Sequence, residues 1–185
     1  FEPVSVYISH DFVRSVRGGT GEAKTPGNYA GSIAATEIAV NKGYQQVLWL
    51  DGVEGKYVDE VGAMNIAFVF NGKEIVTPKL SGAILQGVTR RSLIGLVPRL
   101  GYSITERPIT IREVLDGLDD GKIDEIFGMG TGAVIAPVGL LSYKDQEIIV
   151  RDGEPGPVAE KLYKSLTAIQ YGLVADPFGW TRRIK

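Results

Sequence analysis

Apolar and polar positions along this 185-residue chain change their period several times, and each change marks an element. The opening stretch "FEPVSVYI" alternates, with Val4, Val6 and Ile8 on one side, which is the period of a strand. Residues 30–42, "AGSIAATEIAVNK", are alanine-rich, carry Ile33 and Ile38 among small residues and stop at Gly43, so a helix is predicted just after a glycine-rich loop. "QVLWLDG" is a short apolar run that fits a buried strand. "MNIAFVFNGKEIVTP" holds two strand-like runs joined by Asn71-Gly72, a strong hairpin signal. In "GVTRRSLIGLVPRLG", Thr89 stands before a helical stretch that Pro98 kinks or ends. "SITERPI" reads as a strand, and Thr110 with Glu113 at capping-box spacing predicts a helix over 111–119. "DEIFGMGTGAVIAPVGLLSYKDQEIIV" gives strand, glycine loop, strand, turn and strand, and "GPVAEKLYKSLTAIQYGL" an amphipathic helix. Strands and helices are mixed and at least one strand pair is antiparallel, so one α/β domain (α+β mixed) with a mixed sheet is expected rather than a purely doubly wound one.

Composition narrows the function classes. The chain is 44% hydrophobic and 23% charged with a net charge of -2, which gives no electrostatic bias towards nucleic acid or an anionic membrane. No apolar run reaches the roughly 20 residues that span a bilayer, and no charged-then-apolar leader opens the chain, so a cytoplasmic location is expected. Cysteine is absent and there is one histidine, so disulfides and thiolate metal sites are excluded and no metal site is expected.

The glycine-rich stretch "VRGGTGEAKTPGNYAGS" places Lys24 among glycines with Tyr29 five residues on. It is not a phosphate-cradling P-loop, because Ala23 rather than glycine precedes the lysine, and it is not a dinucleotide fingerprint, because Lys24 stands where the last glycine belongs. In "SHD", residues 9–11, adjacent side chains of an extended chain point to opposite faces, so the three cannot relay a proton locally, and a surface loop is expected there. "GGTGEAK" and "GMGTG" allow close backbone approach to a ligand, and "GVTR" puts free N–H groups and the Thr89 hydroxyl at a helix start, where anions bind. Together these point to a phosphorylated ligand. Taken singly, Thr89 reads as a helix cap, residues 128–132 as a turn, Lys24 as a surface lysine and Glu60 as a solvated charge at a strand end.

In combination, "GGTGEAKTPGNYA", "QVLWLDG", "EVGAMNI", "TPKLSGAILQGVTRRS", "ITERPIT", "EIFGMGTGAVIAPV" and "IQYG" resemble the branched-chain amino acid aminotransferases, class IV enzymes dependent on pyridoxal 5'-phosphate. The resemblance runs from about Val13 to about Gly172. It implies that Lys24 forms the Schiff base with the cofactor aldehyde and then moves the proton between substrate and cofactor. A desolvated pocket with a nearby cation favours the neutral, nucleophilic amine. It further implies Glu60 opposite the pyridine nitrogen, where a carboxylate favours the protonated ring that accepts electrons. Tyr29 falls to the 3'-oxygen, with Gly27 and Gly31 giving the loop freedom for amine and phenol to converge. Backbone N–H groups at Val88 and Thr89 with the Thr131 hydroxyl fall to the phosphate, Ala63 and Gly132 to the substrate carboxylate, and Arg14 to the neighbourhood of the cofactor.

The fold so implied is the large domain of fold-type-IV enzymes, a mixed sheet curled towards a pseudo-barrel with helices outside. The substrates are an amino acid (leucine, isoleucine or valine) and a 2-oxo acid, 2-oxoglutarate, and the enzyme is a homodimer. Ala133 and Ala136 stand where some animal members carry a redox cysteine pair, so thiol regulation is not expected. Residues 1–185 correspond to the large C-terminal domain; a smaller N-terminal domain that supplies a phosphate-binding arginine is expected to precede it. Without that domain weak or absent cofactor occupancy and no turnover are expected. A D-amino acid aminotransferase or aminodeoxychorismate lyase would share Lys24 and Glu60, whereas "VLWLDG" with "EVGAMNI" favours the branched-chain group.

Overall fold

The computed structural model describes residues 1–144 and 146–184. Among the described residues nine strands form one mixed sheet: β1 (Val4–Ile8), β2 (Gln46–Leu50), β3 (Val58–Val61), β4 (Asn65–Phe70), β5 (Glu74–Thr77), β6 (Ser103–Glu106), β7 (Ile123–Gly130), β8 (Val134–Tyr143) and β9 (Gln146–Ile149). Their order is β3-β2-β1-β8-β7-β4-β5-β6, with β9 also beside β8. Four α-helices pack on it: α1 (Pro26–Asn41), α2 (Val88–Leu96), α3 (Ile111–Asp119) and α4 (Pro157–Gln170). Among the described residues no helix is long and apolar enough to cross a membrane.

The ten-residue strand β8 joins two half-sheets. Residues 134–137 pair antiparallel with β7, whereas 138 and 140–142 pair parallel with β1 and 140–143 antiparallel with β9. The strand leaves one half-sheet and enters the other, and the sheet curls into a half-barrel. Both faces of the central strands are covered, so β2 and β4 read as nearly unbroken apolar runs rather than alternating ones. On β4, Ile66 and Phe68 enter the core between the half-sheets, while Ala67 and Val69 face the core under α2 and α4. On β2, Leu48 and Leu50 join the first core, whereas Val47 and Trp49 pack under Ala35 and Ala39 of α1.

The hairpin at Asn71-Gly72 is present, with φ of 49° and 62° there and Phe70 opposite Glu74. The helix over 111–119 starts where the capping residues place it, Thr110 Oγ1 accepting from the Glu113 N–H at 3.0 Å. The helix ahead of Pro98 ends at Leu96 and passes into a tight turn over Val97–Leu100. The turn expected before β9 falls partly on Asp145, which lies outside the described residues.

Two local expectations are corrected. Helix α1 begins at Pro26, four residues before the predicted start, because a proline is preformed for the first helical turn and Thr25 takes the extended N-cap conformation. Gly27 and Gly31 therefore lie within the helix and give no loop freedom, and Tyr29 projects from its first turns. Thr89 is not the cap of α2. Gly87 is, and Thr89 is the buried second residue of the helix. At residues 9–11, Ser9 Oγ donates to the Phe12 carbonyl and accepts from its N–H, while exposed His10 lies edge-on to the Tyr143 ring.

Candidate active site

Where the loop before α1, the end of β3, the start of α2 and the β7–β8 turn meet, they enclose a cavity of about 440 Å³ lined by Lys24, Glu60, Ala63, Val88, Thr89 and Thr131, among others. Six of the sequence-derived residues thus share one space although they are up to 107 positions apart (131 − 24). Arg14 and Tyr29 line an adjoining polar cavity of about 190 Å³, which meets the first at Ala63. Gly132 follows Thr131 in the exposed β7–β8 turn.

Lys24 is presented by a loop that is fixed from behind. The buried Asn28 side chain donates to the carbonyls of Thr20 (2.8 Å) and Ala23 (2.9 Å), and accepts from Thr20 Oγ1 at 2.6 Å. Gly21 is pressed so closely against the next loop that a Cβ there would stand 2.1 Å from the Ala83 carbonyl oxygen and 2.2 Å from Ser15 Oγ. Its glycine is required by close approach rather than by flexibility. The Lys24 amine makes no hydrogen bond or ion pair among the described residues.

Glu60 on β3 is only 2% exposed. Its Oε2 pairs with Arg14 Nε at 2.7 Å, and its Oε1 accepts from the Leu85 N–H at 2.8 Å. Arg14 in turn donates to the carbonyls of Ala83 (2.9 Å) and, more weakly, Gly21 (3.4 and 3.5 Å). Its guanidinium is occupied by protein groups. It ties the lysine loop, the 78–87 loop and Glu60 together and stands behind the carboxylate.

Burial pushes the Glu60 carboxyl up to about 7, against the pull of Arg14, the Leu85 N–H and Lys24. Asp59, its neighbour on β3, is pushed up to about 6 by burial and by Asp51. A carboxyl raised in the folded state contributes most to stability while protonated, below about pH 4.5, and that contribution is lost as pH rises through about 7. For Glu60 the loss amounts to about 3 kcal/mol. Compared with E60Q at each pH, the cofactor-free native protein is expected to lose roughly 5–10 °C in Tm between pH 5 and pH 8, read by thermal melts. The comparison with E60Q separates Glu60 from Asp59.

The first residues of α2 line the same cavity, and the helix starts with no side-chain cap and no acidic residue in its first turn. Its N–H groups and the positive end of its dipole are available to an anion. A basic amine, a buried carboxylate and an anion-receptive helix start in one cavity fit a phosphorylated ring aldehyde with a basic ring nitrogen. Two contributors escaped the sequence reading. Asn28 is hidden because, with the helix predicted from residue 30, it reads as one more polar residue of the glycine-rich loop, and Asn65 lines the cavity from the head of an apolar strand. Being the sole polar residue in "NIAFVF" was the available signal for the latter.

The family described as amino-transferase class IV matches residues 2–141. Branched-chain-amino-acid aminotransferase 2 of Bacillus subtilis is 52% identical over 183 residues, covering 99% of this chain and 50% of that protein. A probable branched-chain-amino-acid aminotransferase of Staphylococcus aureus is 51% identical over 179 residues, covering 97% of this chain and 50% of that protein. The chain spans about half the length of the curated relatives it matches. Among solved structures, the Escherichia coli branched-chain amino acid aminotransferase aligns with a TM-score of 0.84 at 27% identity over 98% of this chain and 57% of that one. That of Thermobaculum terrenum, in its PLP-form (holo-form), aligns with a TM-score of 0.76 at 29% identity over 93% and 52%. The half-barrel sheet expected from the sequence is therefore shared with fold-type-IV aminotransferases. This chain belongs to the class IV aminotransferase family.

Proposed function

We propose that the chain is the large, cofactor-binding domain of a branched-chain amino acid aminotransferase that moves the amino group of leucine, isoleucine or valine to 2-oxoglutarate with pyridoxal 5'-phosphate. The observation that carries this reading is the shared cavity, with Lys24, Glu60 and the uncapped start of α2 all on its walls. The names of the relatives and the PLP-form of the Thermobaculum terrenum structure support it.

When bound, pyridoxal 5'-phosphate supplies an electron sink and a temporary carrier for the amino group. Lys24 would hold it covalently between turnovers and, once released, would carry the proton from the substrate α-carbon to the cofactor C4' position. Glu60, held by Arg14, would face the ring nitrogen, where a proton on that nitrogen favours the ionised carboxylate. The Tyr29 hydroxyl, which has no partner among the described residues, is assigned to the 3'-oxygen. Val88 and Thr89 N–H groups and the Thr131 hydroxyl take the phosphate. Backbone groups at Ala63 and Gly132 take the substrate carboxylate.

Exposed apolar side chains near the two cavities, Tyr29 and Ile33 on α1 and Val88 on α2, are consistent with a further domain covering the mouth. We take that to be the smaller domain expected from the sequence, and without it cofactor retention is weak and turnover absent. The working unit is read as a cytoplasmic homodimer. The test is an amino-donor panel on the intact protein with 2-oxoglutarate as acceptor. Turnover of leucine, isoleucine and valine, with D-alanine inert, is expected; preference for D-alanine would move the protein to the D-amino acid aminotransferases.

A further inference from the structure

Asn65, the first residue of β4, is buried, and its contacts reach both Glu60 and the residue from which α2 starts. Its Nδ2 donates to the Leu85 carbonyl at 2.7 Å and approaches Glu60 Oε1 at 3.5 Å. The carbonyl partner fixes the orientation of the amide, since only its NH2 can face a carbonyl oxygen. The Leu85 N–H donates to the same Glu60 oxygen at 2.8 Å, so Glu60, Asn65 and Leu85 close a triangle. The other atom of the amide, Oδ1, lies against Gly87, where a Cβ would stand only 1.9 Å away. Gly87 also has φ of +57°, so both its backbone conformation and its neighbour demand glycine. It is the residue from which α2 starts.

We infer that Asn65 is a positioning residue for the anion-receiving end of the site. It holds the Leu85–Gly87 turn against Glu60, so that the first N–H groups of α2 face the cavity, and it thereby sets the preference for phosphorylated over unphosphorylated pyridoxal. The inference rests on the pyridoxal phosphate reading given above. The strand itself does not need the amide: Asn65 pairs with Met129 through backbone, and the residues that follow it, Ile66 to Val69, are buried apolar ones. Every side-chain partner of Asn65 lies on the side of the site.

The test compares the intact native protein with N65L and N65A, measuring dissociation constants for pyridoxal 5'-phosphate, for pyridoxal, and for inorganic phosphate in the cofactor-free state. The preference for pyridoxal 5'-phosphate over pyridoxal is expected to fall about tenfold, with phosphate affinity falling in parallel and pyridoxal affinity changing less than about threefold. Equal loss for both aldehydes overturns the inference, because Asn65 would then act through Glu60 alone. A lower Tm with an unchanged preference overturns it too, because Asn65 would then be a core residue only. Should N65L not fold, the smaller N65A gives the same reading. If the native protein binds phosphate but neither aldehyde, and N65A loses phosphate, Asn65 keeps its role in positioning an anion site, while the cofactor reading and the aldehyde preference built on it fall. If the native protein binds none of the three, both fall.

Discussion

Replacing Lys24 by alanine is expected to lower amino-group transfer by at least about 10⁴-fold, because one amine both anchors the cofactor and moves the substrate proton. The same change is expected to leave Tm within about 2 °C of the native cofactor-free value, in the range of an ordinary surface substitution. The side chain is exposed and makes no hydrogen bond or ion pair among the described residues. Its loop is held by Asn28 and by the Gly21–Ala83 contact, none of which involves the amine. Steady-state kinetics with a thermal melt on the same preparation check both halves. K24R is expected to be equally inactive, since a guanidinium keeps the charge but stays protonated and cannot serve as nucleophile. Activity within about tenfold of native for either variant would remove Lys24 from the chemistry.

Arg14→Met should produce the largest loss of stability among the site residues. The Arg14 side chain is 10% exposed, and its guanidinium serves a buried carboxylate and two backbone carbonyls. Removing it leaves Glu60 buried without its cation, and the Ala83 carbonyl keeps only the Ser15 hydroxyl, at 2.7 Å. Breaking one side of a buried pair costs about 3–5 kcal/mol, far more than losing an exposed pair such as Arg112–Asp116. Denaturant unfolding at pH 8, where Glu60 is ionised, should show that loss. The double variant R14M/E60Q should recover part of it, because an apolar or neutral replacement of both partners is tolerated better than an orphaned charge. A cost below about 1 kcal/mol for R14M would mean that the Arg14–Glu60 pair does not bind the three loops together.

The elements were largely legible because the local signals agreed with the tertiary environment. Asn71-Gly72 sits in the left-handed backbone region that its residues favour, and Thr110 caps a helix whose buried stripe is Ile111 and Val114. The start of α1 was misplaced because its glycines outweighed Pro26, whose fixed φ suits the first helical position. Thr89 read as a cap because threonine usually is one. In the fold, Gly87 takes that place, since Asn65 leaves no room for a Cβ there. The candidate site became legible only when its motifs were taken together through a family resemblance. Lys24, Glu60 and Thr89 each have an ordinary reading alone, and nothing local shows that a loop, a strand end and a helix start will meet. The supporting shell of Asn28, Leu85 and Asn65 acts largely through backbone carbonyls and N–H groups, which no side-chain motif advertises. Arg14 was visible as a residue near the cofactor, but its role behind Glu60 depends on a partner 46 positions away (60 − 14).

The central claim is that Lys24 is the amine to which pyridoxal 5'-phosphate is attached. Its most direct test is borohydride reduction of the intact protein in the presence of that cofactor, followed by proteolysis and mass mapping of the modified lysine. One reduced phosphopyridoxyl group on the peptide that contains Lys24, absent from the K24A protein, is the predicted result. A label on another lysine, or no label at saturating cofactor, would contradict the account.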